Sequence, residues 1–175
     1  MNVFIIAGEP SGDEYGAQLI KNMHAQKQNI NFIGIGGPLM EQQGLKSMAP
    51  FSQMSVMGFF EIIKTLPFFL NLEKTILKVI DKQTPEKIIL IDYPGLNLRL
   101  APKIKSRIKT QIFYYISPQI WAWKEKRIKI IKDSIDQMLV ILPFEKDWYA
   151  ERDVKVDWIG HPYLDHPESN LSKEE

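Results

Sequence analysis

Asp92 ends the apolar run Ile88-Ile89-Leu90-Ile91. A carboxylate at the edge of a buried strand has its charged form disfavoured, which suits it to accept a proton near neutral pH. The structural alternative is an Asx turn that shapes the loop, and Pro94-Gly95 just beyond reads as a type II turn. A second constellation is Gly8-Glu9-Pro10-Ser11-Gly12-Asp13-Glu14. It lacks the Gly-Lys-Ser/Thr of a phosphate loop, and its carboxylates oppose a pyrophosphate at a helix start. They suit sugar hydroxyls better. Ser11 and Glu14 also have capping-box spacing, the plainer reading for that pair. A third is Ser117-Pro118-Gln119-Ile120-Trp121-Ala122-Trp123. Two tryptophans two residues apart at a strand-to-helix junction can stack on a sugar ring or line an acyl slot. Burial against the sheet competes with that reading, most strongly for Trp123.

These groups need strands to carry them to one edge. Apolar runs predict strands over 3–7, 31–35, 87–91, 111–116, 137–142 and 156–159. Helical patterns fill 13–26, 98–109, 124–133 and 144–151. A longer one, 59–82, is interrupted near Pro67, and Pro102 falls in the first turn of its helix or kinks it. Residues 39–54 suggest a short helix and a short strand. Gly34-Ile35-Gly36-Gly37-Pro38 closes the second strand in a tight turn. Strand–helix alternation predicts an α/β fold, a Rossmann-like doubly wound sheet, mostly parallel. Runs such as Met138-Leu139-Val140-Ile141-Leu142 suit strands covered on both faces. Ligands of such sheets bind beyond the carboxyl ends of the strands, where Asp92 and the two loops fall.

The 175 residues contain no cysteine, which excludes disulfides, thiolate metal sites and thiol nucleophiles. With three histidines and no ligand spacing, neither a metal nor another cofactor is expected. The N-terminus reads as a strand rather than a leader, and no apolar stretch reaches membrane-span length, which predicts a cytoplasmic protein. The net charge of +1 hides an asymmetry: residues 99–132 hold ten basic side chains against Glu125 alone. Such a block faces phosphates or anionic lipid, or is a pair of solvated helix faces. It has no recognition-helix pattern, so nucleic acid is not an expected partner. The segment 56–70 carries four phenylalanines and two charges. It is either core or a lipid-facing surface, and its place beside the crevice favours the second.

Together the motifs resemble the lipid-A-disaccharide synthase family, inverting glycosyltransferases of the GT-B type. The matching stretches include Gly8-Glu9-Pro10-Ser11-Gly12-Asp13, Val56-Met57-Gly58-Phe59-Phe60-Glu61 and Asp92-Tyr93-Pro94-Gly95-Leu96-Asn97. Ser117-Pro118-Gln119-Ile120-Trp121-Ala122-Trp123, Leu142-Pro143-Phe144-Glu145 and Gly160-His161-Pro162 follow in order. The resemblance implies transfer of 2,3-diacylglucosamine from a UDP donor to 2,3-diacylglucosamine 1-phosphate, giving a β(1→6) disaccharide and UDP. It makes Asp92 the general base and implies substrate binding by Glu9, Ser11, Gly12, Asp13, Asn97, Ser117, Trp121 and Trp123. It places Val56, Met57, Phe59, Phe60, Phe68 and Phe69 against acyl chains at the cytoplasmic face of the inner membrane. Residues 1–162 correspond to the acceptor-side domain, and 163–175 to a linker or tail. The family's donor-binding domain has no counterpart in these residues, so the isolated chain is expected to be inactive. Another UDP-sugar GT-B enzyme and a non-catalytic lipid-binding or scaffold domain are the alternatives.

Overall fold

Every strand pairs in parallel, and a helix or turn separates each strand from the next. The computed structural model describes residues 1–26, 29–55 and 62–165. In chain order the elements are β1 (Asn2–Ala7), α1 (Pro10–Gln26), β2 (Asn31–Ile35), α2 (Pro38–Gln42), β3 (Leu45–Ser47), α3 (Ser52–Ser55) and α4 (Ile62–Gln83). Then come β4 (Lys87–Ile91), α5 (Pro94–Lys105), β5 (Gln111–Tyr115), α6 (Ile120–Trp123), α7 (Ile128–Ser134), β6 (Gln137–Val140), α8 (Pro143–Ala150) and β7 (Val156–Trp158). The strands lie in the order β3-β2-β1-β4-β5-β6-β7. The chain winds outward from β1 to β3, then crosses back to β4 and winds the other way. The reversal lies between β1 and β4, where Ala7 is in register with Ile91. Gly8-Glu9 and Asp92-Tyr93 therefore leave the sheet side by side, at the crevice such folds use for ligands.

Strand alternation divides the core in two. Phe4, Ile6, Ile88, Leu90, Ile112, Tyr114, Met138 and Val140 pack with Ile76, Ile80, Ala101, Ile104, Ile131 and Tyr149 from α4, α5, α7 and α8. Val3, Ile5, Ala7, Ile89 and Ile91 pack with Ile20 of α1 and Met40 of α2. The helices that follow β4, β5 and β6 all contribute to the first face. Phe113, Tyr115 and Leu139 consequently stay part-exposed on the second, where they line an apolar groove of about 260 Å³ with Leu19 and Met23. The expectation that 137–142 is covered on both faces fails for this reason.

Proline explains the other local differences. Pro10, Pro38, Pro94 and Pro143 each open a helix directly after a strand. At that position the ring's fixed φ fits the helix, and the missing N–H would have had no intrahelical partner. Helix α1 therefore starts at Pro10, three residues before the expected start. Its first-turn bond runs from Asp13 N–H to Glu9 C=O, so Ser11 lies inside the helix and does not cap it. Pro94-Gly95 is likewise the first turn of α5 rather than a type II turn. Pro102 then sits well inside α5, and α4 runs unbroken through Pro67. The expected helix over 124–133 is instead a 3-10 turn, Glu125–Arg127, that leads into α7. Gly34 belongs to β2 and not to the turn that follows. Residues 162–165 form a further 3-10 turn, and 166–175 lie outside the described residues.

The basic block does not make one cationic face. Arg99 and Lys103 pair with the buried Glu73 of α4, Lys105 with Asp136, Arg107 with Asp81 and Lys132 with Asp153. Half of its ten cations are thus tied to carboxylates that lie elsewhere in the chain. The exposed pairs among these, Lys105–Asp136, Arg107–Asp81 and Lys132–Asp153, contribute about 0–1 kcal/mol each, so they tell more about charge placement than about stability.

Candidate functional site

A cleft of about 310 Å³ opens beyond the carboxyl ends of β4, β5 and β6. Asp92 and Pro94 line it from β4, Ser11 and Tyr15 from α1, and Ile116, Ser117 and Gln119 from the loop after β5. Lys124 and Arg127 come from the α6–α7 connection, and Leu142 and Glu145 from the start of α8. Of the residues expected to form a site, Asp92, Ser11 and Ser117 thus meet in one cleft.

The backbone that presents Asp92 is unusual. Asp92 has φ 40°, Tyr93 φ 46° and Ile116 φ 68°. A left-handed conformation at a β-branched residue is a genuine outlier. These residues directly follow β4 and β5, whose last residues, Ile91 and Tyr115, are paired. Such strain, roughly 1–3 kcal/mol per residue, persists only where neighbours enforce it. Here they do. The Asp92 carbonyl accepts hydrogen bonds from Asn97 Nδ2 at 2.7 Å and from the Tyr114 hydroxyl at 2.6 Å. Asn97 Nδ2 also donates to the Ile91 carbonyl at 3.2 Å. Asp92 N–H donates to the Tyr115 carbonyl at 3.1 Å. Tyr93 packs its ring so closely on Gly8 that an added Cβ there would lie 2.5 Å from ring carbons. This contact ties the β4 turn to the β1 turn.

Burial pushes the Asp92 carboxyl up to about 6, and the neighbouring charge of Glu9 adds to the rise. A hydrogen bond from the Tyr93 backbone works in the opposite direction. Glu9 is exposed on the β1–α1 turn, so its effect on Asp92 is electrostatic. The Tyr15 phenol is raised by burial and by the charges of Glu14 and Asp92. It stands in the cleft as a neutral donor. The Asp92 arrangement can take a proton from a hydroxyl, and the uncharged polar groups around it can orient a sugar.

Other expected site residues hold the frame. Asn97 is fully buried and spends both amide hydrogens on the Ile91 and Asp92 carbonyls. Gly12 packs α1 on β1, with its added Cβ 3.3 Å from Ala7 Cβ. Asp13 is 3% exposed. Its carboxylate accepts from the N–H groups of Gly37 at 2.8 Å, Leu39 at 3.1 Å and Met40 at 3.0 Å. It thereby caps α2, whose own N-cap Gly37 has no side chain, from a different element. Replacing it by alanine leaves three N–H groups without acceptors. Asp13→Ala should cost on the order of 3 kcal/mol and lower the melting temperature by about 10 °C. A thermal melt within 2 °C of wild type would contradict that role.

Ser117 Oγ lies 2.8 Å from the Tyr149 hydroxyl, whose pKa burial raises strongly. Trp121 packs edge-on against Phe144 at 5.0 Å, and its buried Nε1 has no hydrogen-bond partner among the described residues. Trp123 falls in α6, and its side chain lies outside the described residues, as do Val56, Met57, Phe59 and Phe60 entirely. Phe68 and Phe69 are half-buried against the larger core and touch edge to face at 5.6 Å. Leu70, beside them, is 41% exposed.

Tyr15, Lys124, Arg127 and Glu145 line the cleft without being singled out as site residues by the sequence, the cations standing only within the basic block and Glu145 only within a matching stretch. Tyr15 had a local signal, because it lies four residues after Ser11 and so shares its face of α1. The others reach the cleft only through the crossover connections.

Comparison with known proteins agrees with this architecture. A family model described as Lipid-A-disaccharide synthetase matches residues 3–175. The lipid-A-disaccharide synthase of Trichlorobacter lovleyi is 42% identical over 99% of this chain and 45% of its own length. Lipid-A-disaccharide synthase 1 of Legionella pneumophila strain Paris is 46% identical over 93% of this chain and 42% of its own. The chain thus spans about half the length of these relatives. Among solved structures, the apo form of the lipopolysaccharide outer core galactosyltransferase WaaB superposes with a TM-score of 0.55. The match covers 93% of this chain and 46% of that one at 15% identity, a likeness of fold alone.

Proposed function

Since the chain belongs to the lipid-A-disaccharide synthetase family, we propose that it forms the acceptor-side half of an inverting glycosyltransferase of lipid A synthesis. The reaction moves 2,3-diacylglucosamine from its UDP donor to the 6-hydroxyl of 2,3-diacylglucosamine 1-phosphate. Asp92 takes the hydroxyl proton as the oxygen attacks the anomeric carbon. UDP leaves on the opposite face with the bonding pair, and a β(1→6) linkage forms. The observation that carries this reading is a carboxylate with a pKa of about 6 at the chain-reversal crevice. A base with that pKa is largely unprotonated at neutral pH, yet keeps driving force for proton transfer.

Around Asp92, Ser11 and Tyr15 supply neutral donors, and Glu9 and Ser117 flank the acceptor sugar. Trp121 and Trp123 border the acyl or sugar face. Gly12, Asp13 and Asn97 serve binding indirectly, by fixing the loops. UDP is held by a separate donor-binding α/β domain, and residues 1–162 make the acceptor domain. The segment 56–70, with the exposed Leu70, meets acyl chains at the cytoplasmic face of the inner membrane. Peripheral attachment suits a chain in which no described helix is long and apolar enough to cross a membrane.

The test is a transfer assay with both lipid substrates. The complete enzyme that contains this chain should release UDP and yield the disaccharide, and residues 1–175 alone should yield none. Absence of disaccharide from the complete enzyme would overturn the reading. Robust turnover by the short chain would overturn the assignment of the donor grip to a separate domain.

A further inference from the structure

The chain has four arginines. Arg99 pairs with Glu73 at 3.1 Å, Arg107 with Asp81 at 2.6 Å, and Arg152 with Glu125 at 2.8 Å. The Arg127 side chain makes no ion pair or hydrogen bond among the described residues, and it is the arginine that lines the cleft. It is half-buried there. A guanidinium that gives up water without a counter-ion is costly unless an anion joins it. Both carboxylates of the cleft lining are otherwise engaged. Glu145 turns Oε2 to the N–H groups of Ile141 at 3.2 Å and Leu142 at 2.9 Å. Asp92 is raised by burial and by Glu9, which is the opposite of what a close cation would do. Arg127 does lie near enough to Tyr114 to favour its ionised form, and the Tyr114 hydroxyl bonds the Asp92 carbonyl. The guanidinium therefore faces the same small cavity as the carboxylate without neutralising it. Lys124 adds a second cation to that lining, and Gln119 an amide.

A cleft with a proton acceptor at one place and an unneutralised guanidinium at another fits a ligand with a hydroxyl and a separate anionic group. We propose that Arg127, assisted by Lys124, is a phosphate subsite that grips the 1-phosphate of the acceptor sugar, an inference that rests on the acceptor reading of the cleft. A guanidinium offers paired N–H donors to two phosphate oxygens, and a second cation matches the dianion of a phosphomonoester. Holding the phosphate fixes which end of the sugar meets Asp92. The subsite thus selects a phosphorylated acceptor over a bare one.

Initial rates of the complete enzyme test this with the phosphorylated acceptor and with the same acceptor lacking phosphate. Arg127→Gln should raise KM for the phosphorylated acceptor by about tenfold to a hundredfold, as expected for loss of a charged hydrogen bond. It should leave the donor KM within about threefold, and its penalty should vanish with the phosphate-free acceptor. Arg127→Lys should recover part of the loss. An equal penalty with both acceptors, or one that falls on the donor, would overturn the subsite. Calorimetric titration of the complete protein with N-acetylglucosamine 1-phosphate gives a readout that needs no turnover. Binding by wild type that Arg127→Gln weakens at least tenfold, with plain N-acetylglucosamine bound poorly by both, sustains the subsite even if no disaccharide is ever formed. Equal binding of the two sugars by wild type, or of the phosphate by both proteins with unchanged circular dichroism, refutes it.

Discussion

Asp92→Asn in the complete enzyme should lower kcat by about 10²- to 10⁴-fold, the usual contribution of a positioned general base, while the protein becomes more stable at neutral pH. The two effects have one cause. Burial and Glu9 disfavour the Asp92 carboxylate in the folded state and raise its pKa from 3.8 to about 6. Below pH 3.8 both folded and unfolded chains hold the proton, and the group has no effect on stability. Between 3.8 and 6 the folded chain keeps a proton that the unfolded chain has lost, so stability falls as pH rises. Above 6 the cost is constant, at most about 3 kcal/mol for a shift of this size. Asparagine has the same shape and does not titrate, so it removes the cost. The melting temperature of the variant should exceed wild type at pH 8 and match it near pH 4. Wild-type kcat/KM should rise with pH through about 6 and then level, as the base loses its proton. Activity within threefold of wild type would remove Asp92 from the chemistry. A melting difference that is the same at pH 4 and pH 8 would show that the carboxylate is not strained by its site.

Strand positions were legible because their cause is local. Asn31–Ile35 and Lys87–Ile91 fall where the apolar runs place them, since a strand buried on both faces has few alternatives. Helices α1 and α5 start at Pro10 and Pro94, ahead of the expected 13 and 98, for one reason. Pro94-Gly95 reads as a turn, whereas after a strand in this fold proline is the first residue of the helix. The left-handed pair Asp92-Tyr93 makes the turn that Pro94-Gly95 was expected to make. No propensity rule finds that conformation, because it depends on Asn97 and Tyr114 holding the Asp92 carbonyl. The candidate site shows the same division. Asp92 was visible from its place at a strand end. The work of Asp13 was not, since its three donors lie 24 to 27 residues away on another element. The block at 99–132 misled in the other direction, because linear charge density says nothing about carboxylates supplied by α4.

Gly34→Ala should abolish folding or nearly so, although the change adds a single methyl group. Gly34 lies inside β2, in register with Ile5 of the central strand β1. Its φ is +152°, and a Cβ built there would stand 1.9 Å from the Ile5 carbonyl oxygen and 2.9 Å from Ile5 N and C. These are backbone atoms, so no rotamer change relieves the overlap. Strands β1 and β2 would have to part, and the consequences spread both ways. On one side β3 pairs with Gly34 through Ser47, and Met48 N–H donates to the Gly34 carbonyl at 2.8 Å. On the other, β1 carries Val3 to Ala7, all 0% exposed, and ends at the Gly8-Glu9 turn beneath Tyr93. The expected loss exceeds about 4 kcal/mol, a large fraction of the roughly 5–15 kcal/mol that holds a domain together. Gly95→Ala is the matched control. Gly95 is in the first turn of α5, and an added Cβ meets nothing within 4 Å. That change should stabilise by about 0.5–1 kcal/mol, through helix propensity and a less flexible unfolded chain. The pair separates backbone geometry from composition, since both replace glycine by alanine in one protein. Soluble yield and thermal melting measure both. A Gly34→Ala protein that melts within 3 °C of wild type would mean that β1 and β2 do not approach as closely as described. The Gly8–Tyr93 contact, and with it the placement of Asp92, would then lack the rigid support assigned to it.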